Sequence, residues 1–295
     1  MNICLLGLSN SGKTCYLYTA THVLARGVEV NGHTISATSS NRQQAIRLNN
    51  GIEQMASGIW PEGSINTMTY PFDLKIDGKS VFPFTIYDYR GGMLNGLSDE
   101  DQDEVEVEEI FDTFEESSCI VILVDGDTIM QALEPGLLSP THRQNVSFVA
   151  QLKARNELNY IESLVKECNQ RMSRNVPILL AITKSDIFFP EELDAGKRLL
   201  KELLPSVFSL RNDMIVGITA VTLGEDLHNE DGKLSGTLCL NTDGNVHLPI
   251  LFALFQEIDA IGEDADAEEA RLLIRKLFSS NKINFYRGGK VAFIV

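Results

Sequence analysis

Residues 7–14 read GLSNSGKT, a glycine-rich stretch that fits the pattern G-x-x-x-x-G-K-[ST]. A short apolar run at 2–7 precedes it, as expected for a buried strand, and a helical pattern at 14–26 follows it. A glycine-rich turn at this place lets backbone N–H groups wrap closely round phosphate groups, and the helix N-terminus adds partial positive charge. The stretch therefore predicts a phosphate-binding loop at the start of an α/β domain.

The side chains of this loop have expected roles in holding a nucleoside triphosphate and its metal ion. We expect Lys13 to reach the β- and γ-phosphates and to assist catalysis, and the Thr14 hydroxyl to bind Mg²⁺. The residues of this stretch expected at the nucleotide are Ser9, Asn10, Ser11, Gly12, Lys13, Thr14 and Cys15.

A second glycine motif, DYRG at 88–91, ends a strand-like run. The run belongs to an antiparallel hairpin, because two strand-like runs flank Asp77-Gly78. At the end of that strand Asp88 can hold Mg²⁺ through water, and the Gly91 N–H can touch the γ-phosphate. Arg90 can supply positive charge to the transition state in cis. A surface arginine that pairs with nearby acidic residues would explain Arg90 equally well.

A third motif, TKSD at 183–186, follows a continuous apolar run and bears on the choice of base. Asp186 can accept hydrogen bonds from the N1 and N2 protons of guanine, which adenine does not offer, while the Lys184 stem packs over the ring. The two small residues after the next strand-like run can complete the pocket through a backbone N–H. The residues expected at the base are Thr183, Lys184, Asp186, Thr219 and Ala220.

In their order along the chain, these motifs resemble the G1, G3, G4 and G5 boxes of the translation-factor-like and Ras-like class of P-loop GTPases. The resemblance covers about the first 260 residues. More narrowly, 7–17 and 88–92 look like a bacterial group called double-GTPases, which is associated with conflict and defence systems. The resemblance implies an α/β fold: a mixed, mostly parallel six-stranded sheet with one antiparallel strand pair and helices on both faces.

Comparison of this sequence with that class of GTPases points to two positions that affect the rate of GTP hydrolysis. The class senses Mg²⁺ and the γ-phosphate with a first-switch threonine, for which the candidates here are Ser64, Thr67 and Thr69. We select Thr67 as the metal-binding and catalytic residue. Ras-like proteins place a water-orienting glutamine directly after the D-x-x-G glycine, whereas this chain has Gly92. We therefore expect Mg²⁺-dependent GTP hydrolysis that is slow without an activator.

The chain pattern predicts a GTPase domain over 1–262 and a C-terminal extension over 263–295, made of one helix and a β-hairpin. The expected insertions lie at about 28–57, 92–116 and 223–245. The first insertion contains a hairpin signal, Asn31-Gly32, and a helical stretch that we expect to be interrupted at Gly51.

Composition limits the classes of partner. The formal net charge of −16 argues against non-specific nucleic-acid binding, which needs basic surface. The five cysteines are scattered without C-x-x-C spacing, so we expect reduced thiols and a cytoplasmic protein. No apolar run approaches the roughly 20 residues of a membrane span. The acidic segment 99–116 contains no lysine or arginine, which fits a solvated helix face or a docking surface for a protein partner.

Three functions are compatible with these motifs. The first is a GTP-binding switch, in which loops at about 58–70 and 90–110 are ordered by the γ-phosphate and control a protein partner. The second is an ATP-dependent assembly or motor subunit in which 183–186 is an incidental turn. The third is a non-catalytic interaction module that holds GTP or GDP as a structural cofactor, and Gly92 favours it.

Overall fold

The computed structural model describes residues 1–7, 11–61, 66–89, 104–133, 158–209, 213–231, 233–261, 265–278 and 282–292. Several residues singled out above lie outside these ranges. They are Ser9, Asn10, Ser64, Arg90, Gly91 and Gly92. Part of the acidic segment, 99–103, also lies outside them.

Strands and helices alternate along much of the chain. The strands are β1 (Asn2–Gly7), β2 (Val28–Val30), β3 (His33–Ser39), β4 (Met68–Ile76), β5 (Lys79–Asp88), β6 (Ser117–Val124), β7 (Ile178–Ile182), β8 (Ile215–Ala220), β9 (Gly224–Glu230), β10 (Lys233–Leu238), β11 (Ile283–Arg287) and β12 (Lys290–Ala292). The α-helices are α1 (Lys13–Arg26), α2 (Arg42–Ala56), α3 (Glu104–Glu115), α4 (Gly126–Leu133), α5 (Leu158–Arg171), α6 (Pro190–Leu203), α7 (Leu248–Ile261) and α8 (Ala265–Phe278).

The main sheet has ten strands among the described residues, in the order β12-β11-β8-β7-β6-β1-β5-β4-β3-β2. The five strands from β8 to β5 are mutually parallel, and β4 is antiparallel to β5. These six central strands have the arrangement that the resemblance implies. The expected strand number and the single antiparallel pair are nevertheless wrong for the sheet as a whole. Two hairpins extend it, because edge strands offer unpaired backbone groups: β2–β3 joins β4, and β11–β12 joins β8.

The sheet separates two apolar clusters, one on each face. Helices α1, α2, α7 and α8 contribute to the first cluster, and α3 to α6 contribute to the second. Side chains of β1 alternate between the clusters, with Ile3 and Leu5 in the first and Cys4 and Leu6 in the second. Both faces of the central strands are therefore buried, as their continuous apolar sequences predict.

Helix α2 does not break at Gly51, so the expected interruption is wrong. A Cβ atom at Gly51 would lie 2.3 Å from Cε2 of the buried Tyr18 ring on α1. The glycine therefore marks a close contact between two helices. The helix begins after Asn41, whose side chain accepts hydrogen bonds from the N–H groups of Gln43 and Gln44.

The C-terminal residues pack into the body of the fold. Strand β11 pairs with β8 from Ile283 opposite Thr219 to Arg287 opposite Ile215. The Phe278 ring at the end of α8 contacts the rings of three phenylalanines in the first apolar cluster. They are Phe252, Phe255 and Phe285. None of the helices in the described ranges combines the length and the hydropathy that crossing a bilayer requires.

Candidate functional site

The predicted phosphate-binding loop lies between the end of β1 at Gly7 and the start of α1 at Lys13. Gly12 has φ 74, in the left-handed backbone region that residues other than glycine rarely adopt, and α1 begins at Lys13 directly after it. A Cβ atom at Gly7 would lie 2.5 Å from Ser11 Oγ, so the loop folds back too tightly for a larger residue. Steric constraints therefore explain why both positions of the motif are glycine.

Lys13 and Asp88 meet at this loop and form a buried salt bridge. Lys13 Nζ donates a hydrogen bond to Asp88 Oδ1, and the two side chains are 7% and 2% exposed. Strand pairing explains the contact, because β1 and β5 are parallel neighbours and Leu5 lies opposite Asp88. Pairing gives each buried charge a partner, and an isolated buried charge would be costly. The structure thus places the predicted metal-binding carboxylate beside the phosphate loop.

The predicted base motif is held between the ends of two strands. The Thr183 N–H and hydroxyl both donate to the Val124 carbonyl at the end of β6, at 2.9 and 3.3 Å. The Ser185 N–H donates to the Val221 carbonyl just after β8. Lys184 between them has φ 52. This segment is therefore fixed by backbone bonds on both sides.

Lys184 is bound by two carboxylates that no sequence motif assigned to this site. Its Nζ lies 2.8 Å from Asp125 Oδ1 and 2.5 Å from Asp127 Oδ2. Burial lowers the pKa of Lys184, but the two carboxylates outweigh it and the net shift is upward. Burial raises the pKa of Asp125 despite the nearby ammonium group. Both aspartates follow β6, and their position after a buried strand was the signal that could have identified them.

Asp186 accepts a hydrogen bond from Thr222. The Thr222 hydroxyl lies 2.7 Å from Asp186 Oδ1, and it accepts a bond from the Gly224 N–H. A carboxylate has about four acceptor positions, so Asp186 keeps capacity for further donors. Thr219 and Ala220, the pair predicted to complete the base pocket, come shortly before Thr222 in the chain and are buried at the end of β8. The Thr219 hydroxyl there donates to the Lys282 carbonyl.

One cavity joins the phosphate loop to the base motif. Its volume is about 360 Å³, within the range of small-molecule sites. Its lining from the two motifs comprises Ser11, Gly12, Cys15, Thr183, Lys184 and Asp186. Ser11 Oγ is buried and has no hydrogen-bond partner among the described residues. A ligand in the cavity could supply that partner.

Cys15 and Thr67, two further predicted site residues, have different settings. Burial raises the pKa of the Cys15 thiol to about 11, so it packs against the cavity as a neutral group. Thr67 is exposed and precedes β4, where Met68 lies opposite Asp88. Thr67 is therefore at the same edge of the sheet as Asp88, although it does not line the cavity.

The rest of the cavity wall is formed by residues that the sequence analysis did not assign individually to the nucleotide, including Asp127 after β6 and Ile187 after the T-K-x-D motif. Met55 and Trp60 contribute from the end of α2 and beyond. The segment at 223–245, expected only as an insertion, contributes Leu223, Leu227, His228 and Leu234. No local pattern in these residues indicates a ligand.

The described part of the acidic segment is helix α3. Its Phe111 and Phe114 are buried and Tyr89 stacks edge-on to Phe114. Near the end of the helix, Glu115 accepts hydrogen bonds from Ser173, which lower the pKa of Glu115. One side of this helix therefore packs into the core.

Comparison with solved structures finds matches at low sequence identity. The bacterial selenocysteine-specific elongation factor EF-Sec matches at 14% identity over 75% of this chain and 25% of its own, with a TM-score of 0.36. The mammalian SRP receptor matches at 11% identity over 75% of this chain and 91% of its own, with a TM-score of 0.39.

The GTPase-like domain of S. cerevisiae Ski7, bound to GTP, matches at 13% identity over 78% of this chain and 45% of its own, with a TM-score of 0.39. This chain spans only a quarter of the length of EF-Sec. No protein-family model matches the chain, and no curated protein matches it. At this level of similarity the function has to be argued from the site itself.

Proposed function

We propose that the protein is a guanine-nucleotide switch that binds GTP with Mg²⁺ and hydrolyses it slowly. The observation that carries the proposal is one cavity that is lined by residues of both the predicted phosphate loop and the T-K-x-D motif. A nucleotide is a ligand with a phosphate end and a base end, and each end has a matching group of residues in this cavity. Two unrelated sites would not need to share one cavity.

The phosphate end of the site contains the groups that a triphosphate and a magnesium ion require. Thr14 and Asp88 would hold Mg²⁺, whose preferred ligands are oxygens, together with phosphate oxygens and water. Bound there, Mg²⁺ would neutralise charge on the phosphates. The salt bridge between Lys13 and Asp88 satisfies both groups in the structure described here. If a phosphate group binds Lys13, the buried carboxylate of Asp88 loses its partner and needs another cation. We therefore expect triphosphate affinity to depend on Mg²⁺.

The base end of the site favours guanine over adenine. Asp186 offers acceptors to the N1 and N2 protons of guanine, whereas adenine presents no such pair of donors. A polar group left unpaired in the bound state costs about 1–3 kcal/mol, so the wrong base is penalised. The bonds from Lys184 to Asp125 and Asp127 hold its ammonium group in place, and its stem can cover one face of the ring.

The expectation of slow hydrolysis comes from the sequence of the D-x-x-G motif. Gly92, which directly follows the glycine of that motif, has no side chain with which to orient water, so the reaction must rely on other groups. We assign these roles to Lys13, Thr67, Arg90 and the Gly91 N–H. The loops at about 58–70 and 90–110 would report the γ-phosphate to a protein partner, and the acidic segment 99–116 is the proposed contact surface.

The test is a calorimetric titration of nucleotide-free protein with GTP, GDP, ATP and xanthosine triphosphate, with and without Mg²⁺. We expect wild-type protein to prefer guanine nucleotides and Asp186→Asn to lose about 100-fold in GTP affinity while gaining affinity for xanthosine triphosphate. The reason is that the introduced amide would donate to the xanthine carbonyl that replaces the guanine amino group.

The matched control is Asp194→Asn, which removes a carboxylate that is 67% exposed on α6 and outside the cavity. It should leave every affinity unchanged. Preferential binding of ATP would make the guanine assignment wrong while keeping the phosphate loop. Absence of binding to any of the four nucleotides would refute the proposed function.

A further inference from the structure

The β9–β10 hairpin leaves the base motif and ends against α2. At its root, Thr222 binds Asp186, and the Cys239 N–H donates to the Leu223 carbonyl at 2.8 Å. Farther out, the Leu234 N–H donates to the Gly58 carbonyl at 2.6 Å, just after α2. The hairpin therefore bridges the two sides of the cavity.

An irregularity in this hairpin directs two consecutive side chains into the cavity. His228 lies opposite Ser235 and Glu225 opposite Thr237, so Asp226 and Leu227 together oppose the single residue Gly236. Asp226 has φ 53 and Gly236 has φ 107, and a Cβ atom at Gly236 would lie 2.5 Å from the Asp226 carbonyl. Neighbouring residues of a regular strand point to opposite faces, but a bulge re-aims one of them.

As a result, Leu227 and His228 both line the cavity, although they are adjacent in sequence. The His228 Nδ1 lies 2.6 Å from the Asp226 carbonyl oxygen, which can only accept a hydrogen bond. Nδ1 therefore carries the proton of the neutral ring, and Nε2 is left as an acceptor. The hairpin therefore lines the cavity with leucine side chains and the His228 ring, and none of its described lysine or arginine residues is among the lining.

This chemistry fits the nucleoside end of a nucleotide and not its phosphates. A base and a ribose present apolar faces and hydroxyl or amino donors, whereas phosphates need N–H donors or cations. On the α2 side, Met55 and Trp60 add further apolar lining. The hydrogen bond from Thr222 to Asp186 connects the hairpin to the base motif, and the bond from Leu234 to Gly58 connects it to the segment after α2, so the three segments are contiguous in the cavity wall.

We propose that the β9–β10 hairpin covers the nucleoside of the bound nucleotide, that Leu227 and His228 contact it, and that docking of the hairpin on the segment after α2 sets the rate of nucleotide release. The identity of the ligand rests on the proposed function. The described part of the docking contact comprises the hydrogen bond from Leu234 to Gly58, the antiparallel bridge between Ile59 and Lys233, and the Leu234 side chain, which is 9% exposed and belongs to the first apolar cluster. A hairpin held at its far end by contacts of this kind can open locally without unfolding the remainder of the chain.

The test locks this contact with a disulfide. Ile59 and Lys233 form an antiparallel bridge, and the bond from the Leu234 N–H to the Gly58 carbonyl identifies them as a non-hydrogen-bonded pair. Their Cα atoms should therefore be about 4.5 Å apart, within the range for a disulfide. Both side chains are exposed, with Ile59 54% exposed, so the double variant Ile59→Cys, Lys233→Cys should fold.

The measurement is the release rate of radiolabelled GDP from this double variant, first oxidised with diamide and then reduced. We expect release to be at least about tenfold slower in the oxidised form and restored by reductant. The reduced form is the matched control for the substitutions, and Ile59→Cys alone under diamide controls for the native thiols. Equal release rates in the two forms, or failure of the disulfide to form, would overturn the proposed cover.

A second variant keeps the test independent of the disulfide. Leu227→Ala should speed GDP release about three- to tenfold because it removes apolar surface that contacts the nucleoside. Glu230→Ala, on the same strand but exposed and outside the cavity, should release GDP at the wild-type rate. Identical release from Leu227→Ala and wild type would contradict the contact. If wild-type protein binds no GDP at all, the proposed function is wrong, and the proposed role of the hairpin is wrong as well.

Discussion

At the residue scale, Lys184 shows how distant neighbours determine the setting of a motif residue. Its position in T-K-x-D predicts a stem over the base, but its ammonium group is bound by Asp127, 57 residues earlier, and by Asp125. These aspartates share no motif with it. The sequence predicted that Lys184 carries a positive charge near the base. It could not predict the aspartates that bind this charge, because their position depends on which strands are neighbours in the sheet.

His247 gives a prediction at the same scale. Its side chain is 2% exposed, its Nδ1 has no hydrogen-bond partner among the described residues, and burial together with Lys282 lowers its pKa to about 4. Its ordinary value is 6.5, so between these values the unfolded chain binds the proton more readily than the folded one. The free energy of unfolding is therefore unaffected by titration of His247 above pH 6.5, where the ring is neutral in both states, and it decreases as the pH falls from 6.5 towards 4.

We expect this group to remove about 2 kcal/mol from the free energy of unfolding between about pH 7 and pH 5. Urea denaturation of nucleotide-free protein at both values measures it. Wild type should lose about that much more stability than His247→Gln on acidification. The same pH dependence in His247→Gln and wild type would assign the effect to other groups.

At the element scale, short hairpins were predictable because their turns are encoded locally. Asn31-Gly32 and Asp77-Gly78 predict two-residue turns, and the structure confirms both, with positive φ at all four residues. Helix α2 was less predictable, since Gly51 was expected to interrupt it. Local propensity counts against glycine within a helix, but packing on Tyr18 of α1 explains why it is there.

Gly51→Ala tests this explanation. Alanine raises helix propensity by about 1 kcal/mol, but its Cβ would overlap the buried Tyr18 ring, and overpacking costs about 1–3 kcal/mol. We expect a net loss in the free energy of unfolding, measured by urea denaturation. Asn50→Ala, the exposed neighbour on the same helix, gains propensity without the overlap and should be neutral or slightly stabilising. A stabilised Gly51→Ala would show that the two helices move apart at low cost.

At the scale of the whole molecule, the sheet is extended at both edges by segments that the sequence suggested were additions. The β2–β3 hairpin joins one edge and the β11–β12 hairpin joins the other, while α8 packs on one face of the sheet against β2 and β5. Buried side chains of α8 belong to the same apolar cluster as those of α1 and α7. The described C-terminal residues therefore contribute to the same apolar core as the helices next to the proposed nucleotide site.

Phe278→Ala measures that contribution. The ring is 4% exposed and contacts Phe252, Phe255 and Phe285, so its removal should lower the free energy of unfolding by about 3–5 kcal/mol. Leu272→Ala, 45% exposed on the same helix, should change stability by less than about 0.5 kcal/mol. A loss as small for Phe278→Ala as for Leu272→Ala would mean that the extension is dispensable for folding.

The sequence by itself determined the phosphate loop, the strand carrying Asp88 and the T-K-x-D segment, because these depend on glycine geometry, residue chemistry and short-range periodicity. It also determined the six central strands through their resemblance to a known order of motifs. Only the tertiary structure decided that the sheet has ten strands, that Asp125 and Asp127 bind Lys184, and that Leu227 and His228 face the cavity. These features depend on pairings between residues far apart in the chain, and no local pattern specifies which edge a hairpin joins or which wall it forms.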